Sequence, residues 1–374
     1  MKATLAILGM GMLACMVGIA PAARAELLYV AEGNRLRVID LDTLDAPPLR
    51  ERVLVQNAER DPQRGHDING MICALPDGSG RLLAGEDTGQ PHPPAGWGVL
   101  DRDGTLVGKL VASAAAEVPD PYGCAFNGDG LLFTSELGHE GFRTANGQLL
   151  LWFPPFDRFP GAPGAYPDTD ATSANFCKIA TDIGIAGGIA IDAWGRVYVA
   201  SASRFEVLRF SPPFPRSPDA AGACGARDEL GSPLATTVLR ERFTGPKPMD
   251  LLFTYSGLAF APNGNLYAAS VATGRIGEFD IEGHLVRLVL EPAEWLPPFA
   301  TGSPLGLAVD AQGNLYYADL DLVREGLSLR PGPNGKVRRI RFDGAGRPGP
   351  PEIVLEGLAF PDGLGILAGD LEGE

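Results

Sequence analysis

One phrase recurs six times along the chain: a glycine, an apolar strand, a turn rich in Asp, Asn and Gly, and a second apolar strand. The copies open at Gly70 (Gly-Met-Ile-Cys-Ala-Leu-Pro-Asp-Gly), Gly123 (Gly-Cys-Ala-Phe-Asn-Gly-Asp-Gly), Gly188 (Gly-Ile-Ala-Ile-Asp-Ala-Trp-Gly), Gly257 (Gly-Leu-Ala-Phe-Ala-Pro-Asn-Gly), Gly306 (Gly-Leu-Ala-Val-Asp-Ala-Gln-Gly) and Gly363 (Gly-Leu-Gly-Ile-Leu-Ala-Gly). In the clearest copy the phrase is followed by strand-like runs at Asn265 to Ser270, Arg275 to Asp280 and Leu285 to Leu290, separated by Gly-containing turns. That makes four antiparallel strands per unit. No helical period is present, and Gly and Pro are scattered throughout, which excludes an α/β fold with long crossover helices. The repeat therefore predicts an all-β six-bladed β-propeller with four antiparallel strands in each blade. A five-bladed ring or a β-sandwich accounts less well for six glycine-led copies.

The last copy has a first strand and then the chain ends, whereas Leu27-Leu-Tyr-Val-Ala and Arg35-Leu-Arg-Val-Ile-Asp near the start are strands without a first partner. The two termini are expected to complete one blade, closing the ring and removing the exposed edge. Two connections exceed what the repeat needs, Pro154 to Asn175 and Ser211 to Leu234, each beginning at a Pro-Pro-Phe sequence. They belong to neighbouring blades and leave from one face, so a bridge between Cys177 and Cys224 is geometrically reasonable. Cys73 and Cys124 fall on adjacent innermost strands, where two buried thiols and a second bridge are both open. The spacing fits neither a CxxC motif nor a four-cysteine zinc site, and sequence alone allows three pairings.

The chain begins with Lys2, an apolar stretch from Leu5 to Ala20, then Ala23-Arg24-Ala25, the pattern of a signal peptide over residues 1–25 cleaved after Ala25. A single propeller domain is expected over 26–374, periplasmic or secreted, with no membrane span. The segment ending at Cys15 faintly resembles a lipoprotein cleavage site, but apolar sequence continues beyond it. The formal charge of −15 disfavours nucleic acid and anionic lipid and suits neutral ligands, cations or a basic protein.

The units Ser256-Gly257-Leu-Ala-Phe-Ala-Pro-Asn-Gly-Asn-Leu-Tyr and Pro304-Leu305-Gly306-Leu-Ala-Val-Asp-Ala-Gln-Gly-Asn-Leu-Tyr resemble blades of the gluconolactonase and senescence-marker-protein family and of NHL-repeat propellers. The resemblance implies a divalent metal, usually calcium, held at one channel mouth by residues just before the glycines that open the innermost strands. Here those positions are Asn69, Tyr122, Gly187, Ser256, Leu305 and Asp362. Asn69-Gly70 is similar to the family's Asn-Gly and Pro361-Asp362-Gly363 to its Pro-Asp-Gly, while its Glu-Gly-Pro has no match.

The second strand of each blade returns to the same face, and its end reads Glu32, Glu86-Asp87, Glu136, Ser201, Ser270 or Asp319. Asp67 and Asp120 are expected nearby. Such an oxygen-rich rim suits calcium, and Asn69, Asp362, Glu32 and Glu86, on the two adjoining blades, form the expected ligand set; the bland reading is a solvated rim. His66, His92 and His139 cluster around the second and third blades, a second potential metal site similar in type to the histidine-bound zinc of peptide-amidating lyases. No Gly-x-Ser-x-Gly, Walker loop or His-Glu-x-x-His occurs, which disfavours serine hydrolysis and nucleotide chemistry. The phrases Trp152-Phe-Pro-Pro-Phe156, Phe210-Ser-Pro-Pro-Phe214 and Trp295-Leu-Pro-Pro-Phe299 are read first as packing between blades. Two functions stand: a metal-dependent hydrolase of a small lactone or ester, and a non-catalytic propeller that binds a small molecule or an envelope protein.

Overall fold

The computed structural model describes residues 25–46, 48–57, 67–87, 96–112, 120–138, 146–158, 175–229, 231–244, 253–326 and 328–369. Its elements are almost entirely strands, arranged as six antiparallel sheets of the predicted propeller. The first blade runs from Pro361–Ala368 at the axis through Glu26–Glu32 and Arg35–Asp40 to Glu51–Gln56 at the rim. The second comprises Asp67–Ala74, Leu82–Asp87, Gly96–Leu100 and Leu106–Leu110. The third comprises Pro121–Phe126, Leu132–Glu136, Gln148–Trp152 and Phe176–Ala180, and the fourth Ala186–Ile191, Val197–Ser201, Glu206–Ser211 and Leu239–Thr244. The fifth and sixth begin at Tyr255–Phe260 and Pro304–Val309 and end at Leu285–Leu290 and Glu352–Leu358.

The closure is the one expected: Pro361–Ala368 pairs antiparallel with Glu26–Glu32, with Leu28 opposite Ile366 and Val30 opposite Leu364. The innermost strands touch in succession all the way round, the sixth blade's against that of the first. Six hydrophobic cores result, one between each pair of neighbouring blades. Phe133, Leu151, Val199 and Phe210 fill the one between blades three and four, and Leu28, Ile39, Tyr316 and Val337 the one between six and one. Period-2 alternation makes this possible, because each strand presents side chains to both flanking blades.

The turn of the repeat has a local cause. Asn127 Oδ1 accepts hydrogen bonds from the backbone N–H of Asp129 (3.1 Å) and Leu131 (2.9 Å), and Asp192 Oδ1 does the same for Trp194 and Arg196 (2.9 Å each). The glycine closing each turn, Gly130 or Gly195, sits at φ near +75°, where a side chain is strained. The opening glycines answer to a different constraint. A Cβ on Gly70 would collide with the Tyr122 carbonyl, on Gly257 with the Leu305 carbonyl, and on Gly363 with the Gly70 carbonyl. Backbones of successive inner strands approach too closely at the channel mouth for any side chain between them.

Both bridges form. Cys177, on the outermost strand of the third blade, is bonded to Cys224 in the insertion of the fourth (Cα–Cα 6.1 Å). That insertion folds back, and Pro233–Leu234 extends the third sheet by pairing parallel to Phe176–Ala180. The Lys178 ammonium, beside Cys177, meets Asp228 of the insertion at 2.6 Å. Cys73 and Cys124 are also bridged (Cα–Cα 6.2 Å), linking the inner strands of blades two and three. Of the aromatic-proline phrases, one joins two blades, Phe214 lying against Phe133 at 4.7 Å, while Phe156 lies edge-on to Phe126 of its own blade at 6.0 Å and Phe299 is buried beside Gly274. Trp295 is exposed. No helix among the described residues is long and apolar enough to cross a membrane.

Candidate functional site at the channel mouth

All six residues that precede the opening glycines, Asn69, Tyr122, Gly187, Ser256, Leu305 and Asp362, line one cavity of about 540 Å³ at the channel mouth. Each inner strand starts at this face, so the residue before its first glycine points into the axis. The wall divides by character. Blades one to three contribute Asp67, Asn69, Asp87, Asp120 and Asp362 beside Tyr122, Leu137 and Phe360; blades four to six contribute no carboxyl, but Ile185, Ala202, Val271, Ala272 and Leu305 beside Thr254, Tyr255 and Ser256.

Asp362 is buried, and its Oδ1 accepts a hydrogen bond from the Gly70 N–H at 3.0 Å, which ties the closing strand to the second blade. Its Oδ2 receives no hydrogen bond from another residue among those described, and neither does the Asn69 amide. The Tyr122 hydroxyl donates to the Asp362 backbone carbonyl at 3.0 Å, so the strands of blades one, two and three meet at this residue. Burial pushes the Asp362 carboxyl well above the usual carboxylate range, and the charges of Asp120 and Asp67 add to the shift against the opposing Gly70 N–H. Asp120 is raised to about 7, first by burial and then by Asp87. Behind it, buried Glu136 is raised by burial and by Asp120, with the Trp97 indole beside it. Carboxyls crowded in a poorly hydrated wall hold protons unless a cation is present.

The ends of the second strands are placed differently from one another. Asp87 reaches the cavity, and Glu32 lines an adjoining cavity that shares Asp67 and Phe360 with the first. Glu32 meets Arg37 at 2.9 Å, and Glu86 lies within its blade, 3.2 Å from the Lys109 ammonium, across Gly98, whose missing side chain makes room for the carboxylate. Asp319 pairs with Arg338 at 2.8 Å and accepts the Ser303 N–H, while the Ser270 hydroxyl accepts the Thr254 N–H at 3.0 Å. Glu32, Glu86, Glu136, Ser201, Ser270 and Asp319 are all buried. Thus of the four expected ligands the structure brings Asn69 and Asp362 to one cavity and engages Glu32 and Glu86 with cations of their own blades. His66, His92 and His139 lie outside the described residues. Among the described residues no three His, Cys, Asp or Glu side chains gather as a metal site.

Sequence reasoning missed the apolar half of the wall. Ala202 and Val271 line it, Leu137 lines the cavity from the third blade, and each directly follows a second-strand end, Ser201, Ser270 or Glu136; Asp87, the last residue of its own strand, likewise follows a residue turned into the blade, Glu86. The alternation of side chains carries the signal: if the strand's last residue turns into the blade, the next turns to the axis.

No protein-family model and no curated protein matches the chain. Solved structures do. A luciferin-regenerating enzyme superposes with a TM-score of 0.54 at 13% identity, over 89% of this chain and 94% of its own. The nidogen/laminin complex contains a chain matching with a TM-score of 0.52 at 13% identity, over 92% of this chain and all of that one. A protein of unknown function from Bacteroides caccae matches with a TM-score of 0.50 at 14% identity, over 93% of this chain and 100% of its own. These likenesses establish the fold, the six-bladed propeller that the resemblance to gluconolactonases and NHL-repeat rings implied.

Proposed function

We propose that the cavity is the active site of a hydrolase of small lactones or esters, dependent on a divalent cation, with calcium the best match. The observation that supports this most is the convergence of Asp362 and Asn69, each with hydrogen-bonding capacity unused by the protein, on a wall where Asp120 and Asp67 add further carboxyls. Oxygen donors of this kind fit a hard cation, and the neighbouring carboxylates that, after burial, raise the proton affinity of Asp362 and Asp120 would repel one another less with a cation between them. Asp362 and Asn69 would hold the ion. When bound, such an ion polarises a carbonyl and acidifies a water. Asp120, on the same wall, would take a proton from the attacking water and return it to the leaving oxygen. The apolar wall opposite would seat the rest of the substrate and exclude water from the carbonyl.

The two disulfides fit an oxidising compartment, and we propose export through residues 1–25 to the periplasm or beyond. A panel of lactones and aryl esters, assayed with and without chelator, tests the reading: metal-dependent turnover that falls at least 100-fold in Asp120→Asn is expected on the scale of acid–base catalysis. Binding without turnover by any member would favour the second reading, a non-catalytic propeller for a small molecule or an envelope protein; the engagement of Glu32 and Glu86 in ion pairs favours it too.

A further inference from the structure

The cavity has two unlike halves, and the half contributed by blades four to six constrains what fills it. Ile185, Ala202, Val271, Ala272 and Leu305 present carbon there, continued on the first blade by Phe360. The Ser256 and Thr254 hydroxyls on that side are engaged within the protein. Ser256 Oγ donates to the Ala269 and Leu305 carbonyls (3.3 Å each), and Thr254 Oγ1 lies 3.4 Å from Ser270 Oγ. The Tyr255 ring packs against Phe253 at 4.7 Å and Phe279 at 5.9 Å. Unused polar capacity lies on the opposite side, at Asp362 Oδ2 and the Asn69 amide.

We infer that the molecule taken here has an apolar body, an alkyl or aryl group seated against blades four to six, and one compact polar end, neutral or cationic, at Asp362, Asn69 and Asp120. The inference rests on the hydrolase reading and names its substrate class: alkyl- or aryl-substituted lactones or esters, in preference to polyhydroxylated ones. A sugar ring would turn several hydroxyls toward carbon, and each one buried without a partner weakens binding roughly tenfold. An alkyl chain in the same place gains up to about fourfold per buried methylene. A free carboxylate ligand is disfavoured by the acidic side. The volume, about 540 Å³, lies within the range of small-molecule pockets.

The test uses the full exported chain and a series of δ-lactones with side chains from methyl to heptyl, glucono-δ-lactone, and the matching 2-alkyl tetrahydropyrans, which lack the carbonyl. Calorimetry reads binding and a pH-stat reads hydrolysis, each with calcium and with chelator. The expected result is a Kd that tightens two- to fourfold per methylene until the cavity is full, in lactones and ethers alike, with glucono-δ-lactone at least tenfold weaker than the pentyl lactone. In Val271→Asn, which puts an amide on the apolar wall, the dependence on chain length should flatten. The series on the unmodified protein decides the matter even if that variant folds poorly. Affinity independent of chain length, or preference for glucono-δ-lactone, overturns the inference, and turnover of that sugar lactone would leave the hydrolase reading standing. Chain-length-dependent binding without turnover of any lactone does the reverse.

Discussion

Replacing Asp120 by Asn keeps the side chain's size and removes its ionisation, which isolates the electrostatic cost of the acidic wall. In the folded protein the Asp120 carboxyl is raised from 3.8 to about 7, by burial first and then by Asp87. An acid with a higher pKa folded than unfolded binds its proton more tightly in the native state. Its ionisation therefore costs stability increasingly as pH rises from about 4 to about 7, and by a constant amount above that. At 1.36 kcal/mol per pH unit the full cost is ~4 kcal/mol, falling to ~1 kcal/mol at pH 4.5. For a chain of 374 residues the entropy of unfolding is about 0.8 kcal/mol/K, so ~4 kcal/mol corresponds to about 5 °C in Tm. In chelator, Asp120→Asn should melt about 5 °C above the parent at pH 8 and within about 1–2 °C of it at pH 4.5. Glu136 and Asp362, raised in the same sense, should leave the variant with a residual decline of stability toward high pH. Thermal melts of both proteins at half-unit intervals of pH provide the check. Parallel curves across the range would refute the reasoning, since they would mean that Asp120 ionises freely in water.

Two further outcomes follow from the architecture. Deleting residues 361–374 removes the innermost strand of the first blade and the Asp362 to Gly70 hydrogen bond; the truncated chain should aggregate or lose its cooperative melt, and a soluble, cooperatively folding product by calorimetry would contradict the closure. Protein prepared without reductant should show no alkylation at Cys73, Cys124, Cys177 or Cys224 by mass spectrometry, and Cys177→Ser with Cys224→Ser should cost about 2–4 kcal/mol by freeing the insertion of the fourth blade.

The ring was legible in the sequence because each blade repeats one local solution. The opening glycine marks the closest approach of neighbouring backbones, as at Gly70 and Gly363, and the Asx turn marks the first hairpin, as at Asn127 and Asp192. Both are local steric or hydrogen-bonding requirements, and such requirements leave a residue-level trace. The pre-glycine positions were legible for the same reason, and all six reach the mouth. The ends of the second strands misled through register. Glu86 and Asp87 are adjacent and both acidic, yet the pleat turns one toward Lys109 and the other toward the axis. The pairing of Glu32 with Arg37 and of Asp319 with Arg338 depends on cross-strand diagonals, which the repeat pattern alone does not reveal. The second bridge, Cys73 to Cys124, turns on how closely two inner strands approach at one level, a distance set by the whole ring.

The central claim is that the acidic wall is a cation site, and titration of calcium against thermal stability tests it most directly. An ion that binds only the folded protein, present at 100 times its Kd, adds about 2.7 kcal/mol, or about 3 °C for a chain of this length. The account predicts such a concentration-dependent rise at neutral pH and its loss in Asp362→Ala, which removes the carboxylate held by Gly70. A melting temperature unmoved by calcium or any other divalent ion would contradict it.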